Sequence, residues 1–235
     1  FSTLHECGHG VYSYSSNEKS VEYGVWGGLS GAMHESQSRF YENLIGKSKE
    51  FWQYFYPRLQ KEVKEFENIG LDTLYEAINK AEPTFKRLDA DELTYSLHPI
   101  IRFEMEKECF EGKLKTDDFY DAWNAKYKDY LGIEPENAKE GVLQDVHWAS
   151  GHVGYFQSYT LGNIYGGQFR NKMLQDIPDL YNQIANGSFD SLNKWNYENI
   201  HQYGNVYTPN ELIVKVTGEE LKAKYFIEYL NNKFK

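Results

Sequence analysis

The stretch Phe1-Ser2-Thr3-Leu4-His5-Glu6-Cys7-Gly8-His9-Gly10-Val11-Tyr12 decides how this chain is read. Leu4, Gly8, Val11 and Tyr12 recur at helical spacing, which predicts a helix from Phe1 to about Ser13. On that helix His5 and His9 stand one turn apart on one face, where two imidazoles can meet one metal ion. Glu6 lies beside them and is the expected general base on the metal-bound water of a zinc hydrolase. Further on, His34-Glu35-Ser36-Gln37 falls on a second expected helix, Leu29 to Leu44, stopped at Gly46. Glu35 is the natural third ligand. Two histidines and one carboxylate leave a position open for water, the composition of a catalytic zinc site and not of a closed structural one. Cobalt or manganese can occupy the same ligands.

The chain has 235 residues, enough for one large domain or two small ones. It is 40% hydrophobic and 17% aromatic, ample material for a core, so disorder is not expected. A net charge of −10 argues against a general nucleic-acid binder, because no basic stripe balances a phosphate backbone. The two cysteines, Cys7 and Cys109, form no disulfide framework and suit a reducing compartment. Cys7 points away from the His5/His9 face and is expected to be a packing residue. No apolar run reaches membrane-spanning length, no basic-then-apolar leader opens the chain, and a cytoplasmic protein without membrane or nucleic-acid partners is expected. The first residue is Phe, inside the metal-binding helix, which suggests a fragment.

Val21, Tyr23, Val25 and Trp26, followed by paired glycines, read as a short strand or edge over Val21 to Gly28, with a plain loop as the alternative. Such a strand can pair with substrate backbone. Ser48 is expected to cap a long helix from Lys49 to about Asn68, with Pro57 as a kink. Thr73-Leu74-Tyr75-Glu76 fits a capping box opening a helix to about Ala81. Helices are also expected over about Asp91 to Glu111, bent at Pro99, and over Phe119 to Leu131, ended by Gly132. Gly141 to Gly154 reads as loop, and Tyr155 to about Gln175 as a buried helix. Thr208-Pro209-Asn210-Glu211 combines an N-cap, a first-turn proline and a capping-box glutamate. Gly218 separates that helix from a last one, Glu219 to Asn231. The chain reads as one mainly helical domain.

Several stretches together resemble one family. His5 to His9 (HECGH), His34 to Ser48 (HESQSRFYENLIGKS), Lys86 to Asp91 (KRLDAD), Gly141 to Trp148 (GVLQDVHW) and Gly154 to Asn163 (GYFQSYTLGN) look like the successive motifs of the carboxypeptidase Taq family of metallocarboxypeptidases. The resemblance covers Phe1 to about Phe169 and is weaker beyond. It implies a mainly α zinc-peptidase fold with a small β element beside the active-site groove, with residues 1–235 as the C-terminal portion of the catalytic domain. The family's N-terminal portion, with its HPF and DxRxT motifs, is not in this sequence. The resemblance also implies a homodimer that removes single residues from peptide C-termini with broad specificity.

Family roles carry over by position. His5, His9 and Glu35 match the metal ligands and Glu6 the general base. Arg87 resembles an arginine that holds the substrate C-terminus, and guanidinium suits a carboxylate. Arg102 is the second candidate, and either arginine can instead pair with Asp89, Asp91 or Glu104. His147 and Tyr159 resemble donors to the tetrahedral oxyanion, with Tyr155 as an alternative donor. Asp145 can orient a ligand histidine or simply pack. His34 is either a neighbour of the metal site or packed, and His98 and His201 are structural or exposed. Val25-Trp26-Gly27-Gly28 and His152 depart from the family pattern, and Trp26 is bulky enough to narrow the groove. Two alternatives stand beside a carboxypeptidase: an oligopeptidase with the same zinc chemistry and internal cleavage, or a truncated metal-binding fragment without turnover.

Overall fold

A computed structural model describes residues 1–235. Every regular element is helical. The chain divides into two compact units. The first comprises residues 1–79 and 161–233 with Lys235, and the second comprises residues 80–160 with Phe234.

The first unit opens with α1 (Ser2–Tyr14), α2 (Glu18–Glu22) and α3 (Gly31–Arg39), which runs on into a π-helical turn over Phe40–Ile45. α4 (Lys49–Glu62) follows, capped by Ser48 Oγ on the Phe51 amide, and passes through Pro57. α5 is Leu71–Ile78. The second unit holds α6 (Leu97–Phe110) and α7 (Phe119–Leu131). The chain returns to the first unit within α8 (Gln157–Asp176) and ends with α9 (Leu180–Ala185), α10 (Asp190–Asn199), α11 (Pro209–Thr217) and α12 (Lys224–Lys233).

Each unit has its own core. Tyr12, Met33, Phe40 and Ile45 meet Phe169, Met173, Leu180, Leu192 and Leu212 in the first. Ile101, Met105, Trp123, Tyr127 and Leu131 form the second, where the Trp123 and Tyr127 rings stack at 4.9 Å.

The small β element is not present: the chain contains no strand. The alternation of Val21, Tyr23 and Val25 is overridden locally. Asn17 Oδ1 accepts the Ser20 amide at 2.9 Å and starts α2, and Gly24 then turns the chain at φ 70°. Beyond it, the Val25 carbonyl accepts the Asn205 amide at 2.7 Å and the Trp26 carbonyl accepts the Asn205 side-chain amide at 3.0 Å, one residue holding the loop where a strand needs a backbone ladder. Trp26 stands 53% exposed.

Other boundaries move for similar reasons. Thr73 lies inside α5, whose N-cap is Gly70. Asp91 closes a turn of its own by accepting the amides of Leu93 and Thr94, so α6 starts at Leu97. Pro99 then sits in the first turn, where no amide is needed from it. Gln168 Oε1 accepts the Lys222 amide at 2.8 Å and its Nε2 donates to the Glu220 carbonyl, so residues before Lys224 stay outside α12. Gly132 at φ 71° ends α7 as expected, and Thr208 and Glu211 form the full capping box of α11.

Candidate metal centre

α1 and α3 pack closely because Gly8 lies between them. A Cβ there would come 2.7 Å from the Gln37 carbonyl oxygen and 2.7 Å from Ser38 Cα. Gly162 of α8 does the same behind Glu35, whose own Cβ an added methyl would meet at 2.5 Å. α3 starts at Ser30, whose Oγ accepts the Met33 amide at 3.3 Å.

These packings bring His5, His9 and Glu35 together with their ligand atoms within 4.8 Å of one another. His5 Nε2 and His9 Nε2 are 3.2 Å apart, and His5 Nε2 is 3.7 Å from Glu35 Oε2. A tetrahedral ion with bonds of ~2.0–2.1 Å to each nitrogen would separate them by roughly 3.3 Å, so the donor spacing fits a zinc-sized ion. Glu35 is buried, with Ser38 Oγ donating to its Oε2 at 3.3 Å. His5 Nδ1 lies 2.9 Å from Glu42 Oε2. An ionised carboxylate only accepts, so Nδ1 carries the proton and Nε2 keeps its lone pair for a metal. Burial alone would raise the Glu42 carboxyl, but the bond from His5 and the charges of Arg39 and Lys47 outweigh it and hold Glu42 down to about 2. Burial and the neighbouring His5 push the His9 imidazole below its ordinary value, which favours the neutral form that ligates.

Glu6 is exposed beside the pair. Cys7 is exposed and free, not packed. The His34 ring lies 5.5 Å from the His9 ring and 4.9 Å from that of Tyr12, so it is packed against a candidate ligand. His201 is buried and bonded to Gln37 Oε1 at 2.8 Å.

The second unit gathers the other candidates. Arg102 is completely buried, its Nε 2.6 Å from Asp145 Oδ2. Arg87, 5% exposed, reaches Asp145 Oδ1 through Nε at 2.9 Å and Nη2 at 2.8 Å. The carboxylate that holds both arginines is therefore Asp145, and Asp89, Asp91 and Glu104 do not pair with them. The carboxylate on the histidine of the metal centre is Glu42. Burial would raise Asp145, but Arg102 and Arg87 outweigh it and hold it below its ordinary value. His147 Nε2 is 3.1 Å from the Tyr159 hydroxyl, and Tyr155, 37% exposed, packs its ring on those of His147 and Tyr159. Burial and the Arg87 charge lower the His147 imidazole. His98 is fully buried, bonded to Tyr127 at 3.0 Å.

The residue that sequence reading missed is Glu42. The signal was present in Glu35-Ser36-Gln37-Ser38-Arg39-Phe40-Tyr41-Glu42, where Glu35, Arg39 and Glu42 recur at helical spacing. The turn that carries Glu42 is π-helical, a form common at functional sites.

The chain is similar to several known carboxypeptidases. Carboxypeptidase 1 of Bacillus subtilis is 45% identical over 235 residues, all of this chain and 47% of its own length. Thermostable carboxypeptidase 1 of Thermus thermophilus is 41% identical over 239 residues, all of this chain and 46% of its own. The solved structure of Pyrococcus furiosus carboxypeptidase superposes with a TM-score of 0.97 at 38% identity, covering 100% of this chain and 47% of that one. The M32 carboxypeptidase of Deinococcus radiodurans gives 0.96 at 40% identity, covering 99% and 47%. The chain thus spans about half the length of the relatives it matches. The model of one family, described as carboxypeptidase Taq (M32) metallopeptidase, matches residues 1–234, and to that family the chain belongs.

Proposed function

We propose that this chain carries the metal-binding catalytic part of a carboxypeptidase that releases single residues from the C-termini of peptides with broad side-chain preference. The observation that carries the proposal is the convergence of His5, His9 and Glu35, with Glu42 behind His5 and Glu6 beside it. The ion proposed for the three donors is zinc, with cobalt or manganese able to take its place. When bound, it supplies Lewis acidity that acidifies a water and polarises a peptide carbonyl. Glu6 takes the proton of the attacking water and returns it to the leaving amine. Tyr159 and His147 are the proposed hydrogen-bond donors to the oxyanion, with Tyr155 as the alternative donor. Selectivity for a terminus needs a cation for the substrate carboxylate; Arg87 is the proposed one, and Arg102, with no exposed surface, is the less well placed of the two candidates.

We further propose that residues 1–235 belong to one catalytic domain that works as a cytoplasmic homodimer on peptides, without nucleic-acid or membrane partners. The charge of −10 disfavours binding to a phosphate backbone, and no helix is long and apolar enough to cross a membrane.

Metal content and terminal release from a short unblocked peptide test the activity. The expected result is about one metal per chain, release of the last residue, and none from the same peptide amidated at its C-terminus. Glu6→Gln should keep the metal and lose turnover. Turnover retained by that variant overturns the role of Glu6, and internal cleavage of the amidated peptide makes the enzyme an oligopeptidase.

A further inference from the structure

We propose that the cavity around Arg170 is a binding site for a small phosphate anion. The cavity lies wholly within the first unit, and none of its lining residues is a donor of the metal centre.

The cavity has a volume of about 210 Å³. Sites for drug-sized ligands run to roughly 300–1,000 Å³, so this one suits a smaller molecule. Its wall carries three cations, Lys49, Arg170 and Lys233, and one carboxylate, Glu50. Lys49 is matched by Asp72 at 2.6 Å, so the surplus positive charge rests on Arg170 and Lys233. In a chain of net charge −10, a concave wall with a positive surplus draws anions.

The chain has five arginines. Arg39, Arg87 and Arg102 each meet a carboxylate, and Arg58 is exposed. Arg170 alone is half-buried with no carboxylate beside it. Its Nε donates to the Tyr181 hydroxyl at 2.8 Å, and that hydroxyl donates in turn to the Leu44 carbonyl at 3.0 Å. Its central carbon stands 5.2 Å from the Tyr181 ring centroid and 4.9 Å from that of Tyr229. Two rings and one hydrogen bond thus fix the guanidinium. The other four of its five N–H, on Nη1 and Nη2, donate to no protein group. A guanidinium held in place with its N–H groups free is what bidentate capture of a phosphate requires, and little freedom is lost when the anion binds. Lys233 Nζ lies 3.1 Å from the Tyr229 hydroxyl, so Tyr229 positions both cations.

The test is a titration of the full chain with inorganic phosphate, the ionic strength held constant with sodium chloride so that screening does not change. NMR of the arginine Nε–H groups reads the site directly, because five arginines give few signals to assign. The Arg170 signal should shift and saturate by ~10 mM phosphate. By calorimetry Arg170→Lys, which keeps the charge and loses the fork, should weaken binding about tenfold, and Lys233→Gln about threefold. If Arg170→Lys does not fold, the wild-type signal and Lys233→Gln carry the same test. An Arg170 signal that stays still, or drifts without saturating, overturns the proposal. So does a shift confined to Arg39, which would place the anion at the metal centre, and so does undiminished affinity in the folded variants. Acetate giving the same shift at the same concentration would make the ligand a carboxylate and overturn its assignment as phosphate.

Discussion

Glu42 Oε2 lies 2.9 Å from His5 Nδ1, on the far side of the ring from His9 and Glu35. The carboxylate fixes which nitrogen carries the proton, and Arg39 Nη1, 3.3 Å from the same oxygen, holds the carboxylate. Partners of this kind typically change metal affinity by about 10–100-fold when removed. Glu42→Ala should therefore weaken metal binding by about that factor in a chelator competition, with the helical circular dichroism signal retained. Affinity equal to wild type would show that His5 needs no orienting carboxylate.

Two glycines on α1 should respond in opposite ways to the same change. At Gly8 an added Cβ runs into the backbone of α3, at 2.7 Å from the Gln37 oxygen, and neither backbone can yield without separating the helices that carry the donors. Overpacking of this kind costs about 1–3 kcal/mol. At Gly10 nothing lies within 4 Å. Replacing a helical glycine by alanine there should stabilise by up to about 1 kcal/mol. Urea unfolding of Gly8→Ala and Gly10→Ala should move to opposite sides of wild type, and only Gly8→Ala should lose metal affinity.

Much of the candidate site was legible because its signals are short in sequence. The pair His5/His9 needs only one helical turn, and Gly132 and the Thr208–Glu211 box need only a cap. The strand at Val21 to Gly28 was misread because alternation says nothing of a partner strand, while Asn17, a few residues earlier, already specified a helix start. The partners of Asp145 were out of reach for another reason. They lie 58 and 43 residues away, and a sequence dense in acidic residues offered nearer choices for both arginines. Glu42 stood at helical spacing from Glu35 and Arg39, but its partner His5 lies 37 residues away on another helix, and spacing along one helix does not name a partner on a second.

The capping box of α11 is a control remote in sequence from the metal ligands. Thr208 Oγ1 accepts the Glu211 amide at 3.3 Å, and Glu211 Oε2 accepts the Thr208 amide at 2.8 Å. Thr208→Ala should cost about 1 kcal/mol of stability. Metal affinity should be unchanged, since α11 supplies none of the donors. A parallel fall in both would mean that global stability, and not local geometry, governs binding in the Gly8 and Glu42 variants as well.

His98 makes the second unit sensitive to mild acid. Arg102 Nη1 and Gln144 Nε2 both donate to the Tyr127 oxygen, so the phenol proton goes to His98 Nδ1 at 3.0 Å and the ring proton sits on Nε2, which is buried without a partner. Burial lowers this imidazole to about 3, helped by Arg102 and Arg87 and opposed by Asp145 and Asp91. The folded value lies below the unfolded one of 6.5, so the unfolded chain takes up the proton first. The contribution to stability is whole above about pH 6.5 and falls as the pH drops toward 3, by up to about 1.4 kcal/mol per pH unit. Over the full span this amounts to about 4–5 kcal/mol, enough to unfold a marginal domain. His98→Gln removes the titration. Between pH 6 and 4 its stability measured in urea should fall less steeply than that of wild type by about 1.4 kcal/mol per pH unit, whatever the substitution costs at neutral pH. Equal slopes would mean that His98 is protonated in the folded protein and that the lone Nε2 has found an acceptor.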